Sequence, residues 1–217
     1  MLRDIDIDSI SDGKRYTLND LVKLPAHECV GCSECCHFVE DTILLDPLDI
    51  HNLRLATGLS FEELMNKQIE LQVVDGLVTP NLKVDANKGG CIFLSQEGRC
   101  SIHDHRPGFC RLFPLGRIYE DEGFKYFLQV HECGYKDMSK QKIKKWLGIS
   151  NAKEYEDYIL LWHNFTKRII SQYLTDTSEE VAKKISMLCL NCFFIKSYDE
   201  NGDFYTELKE RIENFPN

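Results

Sequence analysis

Past Gly134 the apolar residues fall at three- and four-residue steps. Tyr155, Tyr158, Ile159, Trp162, Phe165, Ile169 and Tyr173 form one stripe, which predicts a long helix over 152–174. Lys140 to Leu147 predicts a shorter helix before it. Thr177-Ser178-Glu179-Glu180 reads as a capping box opening a helix to about Lys196, and a last amphipathic helix covers 204–214. Between 73 and 131 the pattern is that of short strands. Val78 to Val84, broken by Pro80, predicts an edge strand. Cys91-Ile92-Phe93-Leu94 and Cys100-Ser101-Ile102 flank Gln96-Glu97-Gly98-Arg99 as a hairpin would. Arg117 to Tyr119 and Phe124 to Leu128 flank Asp121-Glu122-Gly123 in the same way.

Upstream, residues 1–16 read as an irregular acidic lead-in. Thr17 as N-cap with Asp20 at N3 predicts a short helix ended by Pro25. Thr42 to Leu45 is strand-like. Asp46 as cap and Pro47 at the first helical position open a helix to about Gly58, and Ser60-Phe61-Glu62-Glu63 is a capping box for the next. Together these elements predict an α+β protein. A cysteine-cluster region with short hairpins spans 1–137, and a helical C-terminal region over 138–217 packs on it as part of one structural unit.

Composition narrows the function classes. The 217 residues include 35 acidic against 26 basic side chains, a formal charge of −9, which argues against nucleic acid as the partner. No run approaches the roughly 20 apolar residues of a membrane span. The acidic, alternating start Met1 to Asp8 is unlike a signal peptide, so a cytoplasmic chain is expected. In a reducing compartment ten cysteines point to metal binding or catalysis rather than disulfides.

Eight of the ten lie between Cys29 and Cys133. The first motif, Cys29-Val30-Gly31-Cys32-Ser33-Glu34-Cys35-Cys36, has two-residue gaps that let a turn aim successive sulfurs at one centre, with Gly31 easing the turn. Its first three cysteines match the start of a bacterial ferredoxin run. Cys36 departs from that run, since adjacent side chains point to different sides. Cys35 and Cys36 then serve different metals of one cluster, or one of them is an accessory thiol. The second motif runs from Gly89-Gly90-Cys91 through Arg99-Cys100-Ser101-Ile102-His103 to Arg106-Pro107-Gly108-Phe109-Cys110-Arg111, and Cys133 closes the set. Eight thiols suffice for two four-coordinate sites or for one site with accessory cysteines. Arg106 and Arg111 suit the anionic surroundings of such a centre, and His37 and His131 are the histidines nearest to cysteines; His103 and His105 are weaker candidates. Cys189 and Cys192 form another CxxC, but among Met187, Leu188, Leu190 and Phe193 they read as core.

These two motifs in this order resemble the YkgJ-type cysteine-cluster proteins, described as zinc- or iron-chelating and related to a domain of flagellin lysine N-methylases. The resemblance covers roughly residues 26–135. It implies a metal role for Cys29, Cys32, Cys35, Cys36, Cys91, Cys100 and Cys110, with Arg106 and Arg111 beside them. No dinucleotide-binding GxGxxG, HExxH, P-loop or GxSxG motif is present, nor the Cx3Cx2C run of radical S-adenosylmethionine enzymes. The expected function is an iron–sulfur protein for electron transfer or redox chemistry, working with a protein partner. The alternatives are a structural zinc module and a protein-lysine methylase.

Overall fold

A computed structural model describes residues 7–26, 32–37, 42–85, 89–175 and 177–216. It is an α+β structure in which three separate two-stranded antiparallel ribbons are clamped by helices. After a one-turn α1 (Ile7–Ile10), β1 (Leu21–Pro25) pairs with β6 (Met138–Lys142). The one-turn α2 (Glu34–His37) carries part of the first cysteine motif. Helices α3 (Pro47–Thr57) and α4 (Phe61–Lys67) lead into β2 (Ile69–Val74) and β3 (Leu77–Leu82), which form the second ribbon. A 3-10 turn at His103–His105 and α5 (Gly108–Leu112) precede the third ribbon, β4 (Leu115–Glu120) and β5 (Gly123–Leu128). Helix α6 (Ile143–Leu147) follows β6, and α7 (Ala152–Ile169), α8 (Glu179–Leu190) and α9 (Phe204–Glu213) complete the chain. Among the described residues no helix is long and apolar enough to cross a membrane.

Several local expectations hold for stated physical reasons. Asp46 caps α3 and shares a capping box with Asp49, Pro47 takes the first turn, and Gly58 ends the helix at φ +68°. Ser60 accepts from the Glu63 N–H at 3.2 Å while the Glu63 carboxylate accepts from the Ser60 N–H at 2.8 Å. Ser60→Ala is therefore expected to cost about 1 kcal/mol, read as a lower urea midpoint with metal content unchanged. The 152–174 stripe forms α7, whose last turn widens into a π segment, Ile170–Leu174.

Other expectations are corrected. Thr17 to Pro25 is not a helix. Asp20 folds back to accept from the Thr17 backbone N–H and hydroxyl at 2.7 and 2.8 Å, making a turn. Val22 and Leu24 then alternate inward against exposed Leu21 and Lys23, a strand pattern. Residues 138–142 form the partner strand, which shortens the helix expected from Lys140 to Ile143–Leu147. The hairpin expected over 91–102 is reduced to a single bridge, Leu94 with Cys100, because residues 91–94 close a turn (Leu94 N–H to Cys91 carbonyl, 3.0 Å) that buries both Phe93 and Leu94. Ser178, not Thr177, caps α8. Residues 7–16 of the lead-in are also more regular than expected: Tyr16 exchanges both backbone hydrogen bonds with Tyr126, covering the free edge of β5.

The core has two parts. The larger gathers α3, α4, β2, β3 and the C-terminal helices around fully buried Phe193, whose ring lies 4.9 Å from Phe165 and 5.2 Å from Trp162. Cys189 is buried within it. The smaller part packs Val22 and Leu24 of β1 against Leu112, Leu115, Tyr126, Trp146 and Leu147. Cys91 belongs to the first part and Leu112, two residues after Cys110, to the second. Cys36 and Cys100 pack against the first part as well, and Phe124 and Ile149 touch both.

Candidate metal centre

The first motif presents Cys35 and Cys36 from a single helical turn, in which the Cys36 and His37 N–H groups donate to the Ser33 carbonyl. That turn is bolted to the second motif through the backbone. The Cys91 N–H donates to the Cys36 carbonyl at 2.7 Å, and Gly90 (φ +98°) lies so close that a Cβ there would stand 2.5 Å from the Cys36 oxygen and 2.9 Å from the His37 Cα. Only glycine fits that approach. Cys29 and Gly31 lie outside the described residues.

Beyond Cys91, the Leu94–Cys100 bridge brings Cys100 back towards the site. Arg106-Pro107 then sets up α5, whose first N–H, on Gly108, donates to the buried Asp49 carboxylate at 2.7 Å. Asp49 is thereby tied both to the start of α3 and to the helix carrying Cys110. Cys133 arrives from the far side on the loop after β5, where Gly134 packs against the Glu34 carboxylate of α2.

Electrostatics show which thiols are neighbours. The hydrogen bond between the Cys35 and Cys36 thiols draws Cys35 down to about 7. The same hydrogen bond, with burial, holds Cys36 well above the ordinary thiol range, and charges on Cys35, Cys91 and Cys110 add to this. Burial pushes Cys91, Cys100, Cys110 and Cys133 up, and each also feels the charge of Cys35. The charge of Cys35 thus acts on thiols of both motifs and on Cys133, which also feels Cys32.

The four accessory candidates sit differently. The Arg106 charge favours ionisation of Cys100, and its guanidinium also reaches the His103 ring and carbonyl. Arg111 spends its donors on the Leu147 and Asp104 carbonyls, strapping α5 to α6 and to the 3-10 turn. His37 is exposed at the end of α2, and His131 is exposed at φ +68°. Sequence reasoning missed the polar network beneath Cys110. Asp46 and Asp49 lie side by side, and burial raises both carboxyls. Arg117 faces them: burial works against its charge, but the surrounding tyrosines hold it protonated, and it donates to the Tyr155 hydroxyl at 3.1 Å. The capping-box spacing of Asp46 and Asp49 was visible; their reach to Gly108, a contact across 59 positions, was not.

Among the described residues no three Cys, His, Asp or Glu side chains stand close enough, as they lie, to enclose one ion. The donor chemistry fits a soft metal: five thiols, those of Cys36, Cys91, Cys100, Cys110 and Cys133, all feel Cys35. The sequence model of a family described as "CxxCxxCC: Putative zinc- or iron-chelating domain" matches residues 28–144, more than half of the chain. No curated protein and no solved structure matches it.

Proposed function

The chain belongs to the CxxCxxCC family of zinc- or iron-chelating domains, and from that membership we propose that its gathered thiols hold an iron–sulfur cluster used for electron transfer or redox chemistry. The observation that carries this reading is the 2.7 Å backbone bond from Cys91 to Cys36, which holds thiols of the two motifs together with Cys35 exposed beside them. Such an arrangement suits a polynuclear centre near the surface better than a single closed tetrahedral site. Cys29, Cys32, Cys35 or Cys36 would hold the cluster with one or more of Cys91, Cys100, Cys110 and Cys133. When bound, the cluster supplies one-electron redox capacity whose potential follows its hydrogen bonds, local charge and exposure. The chain's own part is to offset thiolate charge at Cys100 with Arg106, and to fix Cys110 through the Asp49–Gly108 bond.

A structural zinc site is the second reading. It is favoured by the way the thiols join segments that carry little regular structure of their own: the turn at 32–37, the bridge residues 91 and 100, and the loop at 133. A closed thiolate site would supply folding energy there.

Anaerobic purification followed by metal and sulfide analysis separates the two. The iron–sulfur reading expects absorbance near ~400 nm, with iron and acid-labile sulfide in comparable amounts. Colourless protein holding zinc and no sulfide would overturn it. Cys35→Ser is expected to lose most of the bound metal, whereas Cys192→Ser, at a half-buried position in the π turn that follows α8, keeps it. Equal metal content in the two variants would remove Cys35 from the centre.

A further inference from the structure

One face of the β1–β6 ribbon carries charge that the fold does not use. Register places Lys23 directly opposite Lys140 and Leu21 opposite Lys142, with all four side chains exposed, while Val22, Leu24 and Gln141 point inward. Helix α6 continues the surface with exposed Lys144 and Lys145 over buried Ile143, Trp146 and Leu147. Among the described residues none of these five lysines is in an ion pair, whereas Lys153, Lys183, Lys184 and Lys209 each face an acidic side chain four residues away. Like charges directly across a ribbon destabilise it, and the chain has an excess of acidic residues. A local rule broken without a local gain is the mark of a surface with another use.

We propose that this face docks an acidic protein, the electron-exchange partner of the thiol centre; the inference rests on the redox reading above. The ribbon is close in sequence to two of the thiols. Cys32 lies just downstream of Pro25, Cys133 lies just upstream of Met138, and the Ala26 N–H donates to the Asp137 carbonyl at 2.8 Å, extending the pairing towards both. Charge complementarity selects an acidic partner and speeds encounter. Leu21 (55% exposed) and Met138 (37%) add apolar contact that a protein uses and a phosphate backbone does not.

The rival account is that these lysines only guard a ribbon edge against pairing with another chain. A test uses a flavodoxin, a small acidic one-electron carrier, as the probe, with single-stranded DNA and phosphatidylserine vesicles alongside. Flavodoxin is expected to bind and to weaken with added salt. Lys144→Glu with Lys145→Glu is expected to weaken binding about ten-fold or more. Lys183→Glu with Lys184→Glu, the same change in charge on α8, is expected to leave it within about two-fold. Lys23→Glu converts a repulsive cross-strand pair into an attractive one, so it should raise the thermal midpoint while weakening binding, a combination that a purely structural role does not produce. The proposal is overturned if the two double variants bind alike, or if DNA or vesicles bind in preference to flavodoxin. It is equally overturned if Lys23→Glu leaves binding intact and makes the protein self-associate. Iron and sulfide are measured on every sample. Patch-dependent binding without iron refutes the redox reading alone, and iron-loaded protein with patch-independent binding refutes the docking surface alone.

Discussion

Gly90→Ala is expected to release the metal and unfold the cysteine region. The two atoms its Cβ would meet, the Cys36 carbonyl oxygen at 2.5 Å and the His37 Cα at 2.9 Å, both belong to backbone, so no side chain can turn aside to make room. The alternatives are to move residue 90 off its φ of +98° or to part the first motif from the second. Parting them breaks the 2.7 Å bond from the Cys91 N–H to the Cys36 carbonyl and moves Cys36 away from Cys91. Backbone strain of about 1–3 kcal/mol and overpacking of about 1–3 kcal/mol add to whatever the broken bond costs. Gly89→Ala is the control. Gly89 also has a positive φ, +67°, but nothing lies within 4 Å of its Cβ position, so only about 1–2 kcal/mol of left-handed strain is expected. Urea unfolding and metal per chain, measured on both variants, check the expectation. If the two behave alike, the close approach of the motifs is not what holds the site.

That contrast explains what the sequence could and could not reveal. The paired glycines beside Cys91 were legible as part of a motif, but which of them bears the contact depends on where residues 36 and 37 arrive. Local signals with a local cause held: the Asp46–Pro47 start, the Gly58 stop and the Ser60 box all act within one turn. Signals whose meaning depends on distant partners misled. Thr17 and Asp20 carry cap chemistry, yet the segment after them is a strand because residues 138–142 supply a partner and a small core lies beneath it. Cys91 and Cys100 are neighbours as expected, although the hairpin thought to bring them together is one bridge around a turn. The identities of the clustered cysteines came from spacing alone. The contact that joins the two motifs did not, since a CxxCxxCC string cannot say which of its residues meets Gly90 and Cys91.

Asp49→Ala is expected to loosen the metal centre without touching any thiol. Asp49 is 4% exposed, and its carboxylate accepts from the Gly108 N–H at 2.7 Å and the Asp46 N–H at 3.1 Å. Alanine leaves both donors without that partner, at about 1–3 kcal/mol for each one that water cannot reach. Two effects run the other way. Removing a carboxylate relieves its crowding against Asp46, and it also eases ionisation of Cys110, which feels the Asp49 charge. Asp49→Asn separates these effects, because it removes the charge and keeps an oxygen for Gly108. If charge on Cys110 governs the site, both variants bind metal more tightly than the native chain. If positioning governs, Asp49→Asn stays near native in stability and metal content, while Asp49→Ala falls by about 2–4 kcal/mol and loses metal at temperatures well below its unfolding transition. The geometry favours the second outcome. The Gly108 N–H opens a helix of only five residues, Pro107 before it has no side-chain oxygen with which to cap it, and Cys110 sits two positions further on. With the Asp49 bond gone, α5 keeps the Arg111 strap at its far end, while the end that aims Cys110 is free to move.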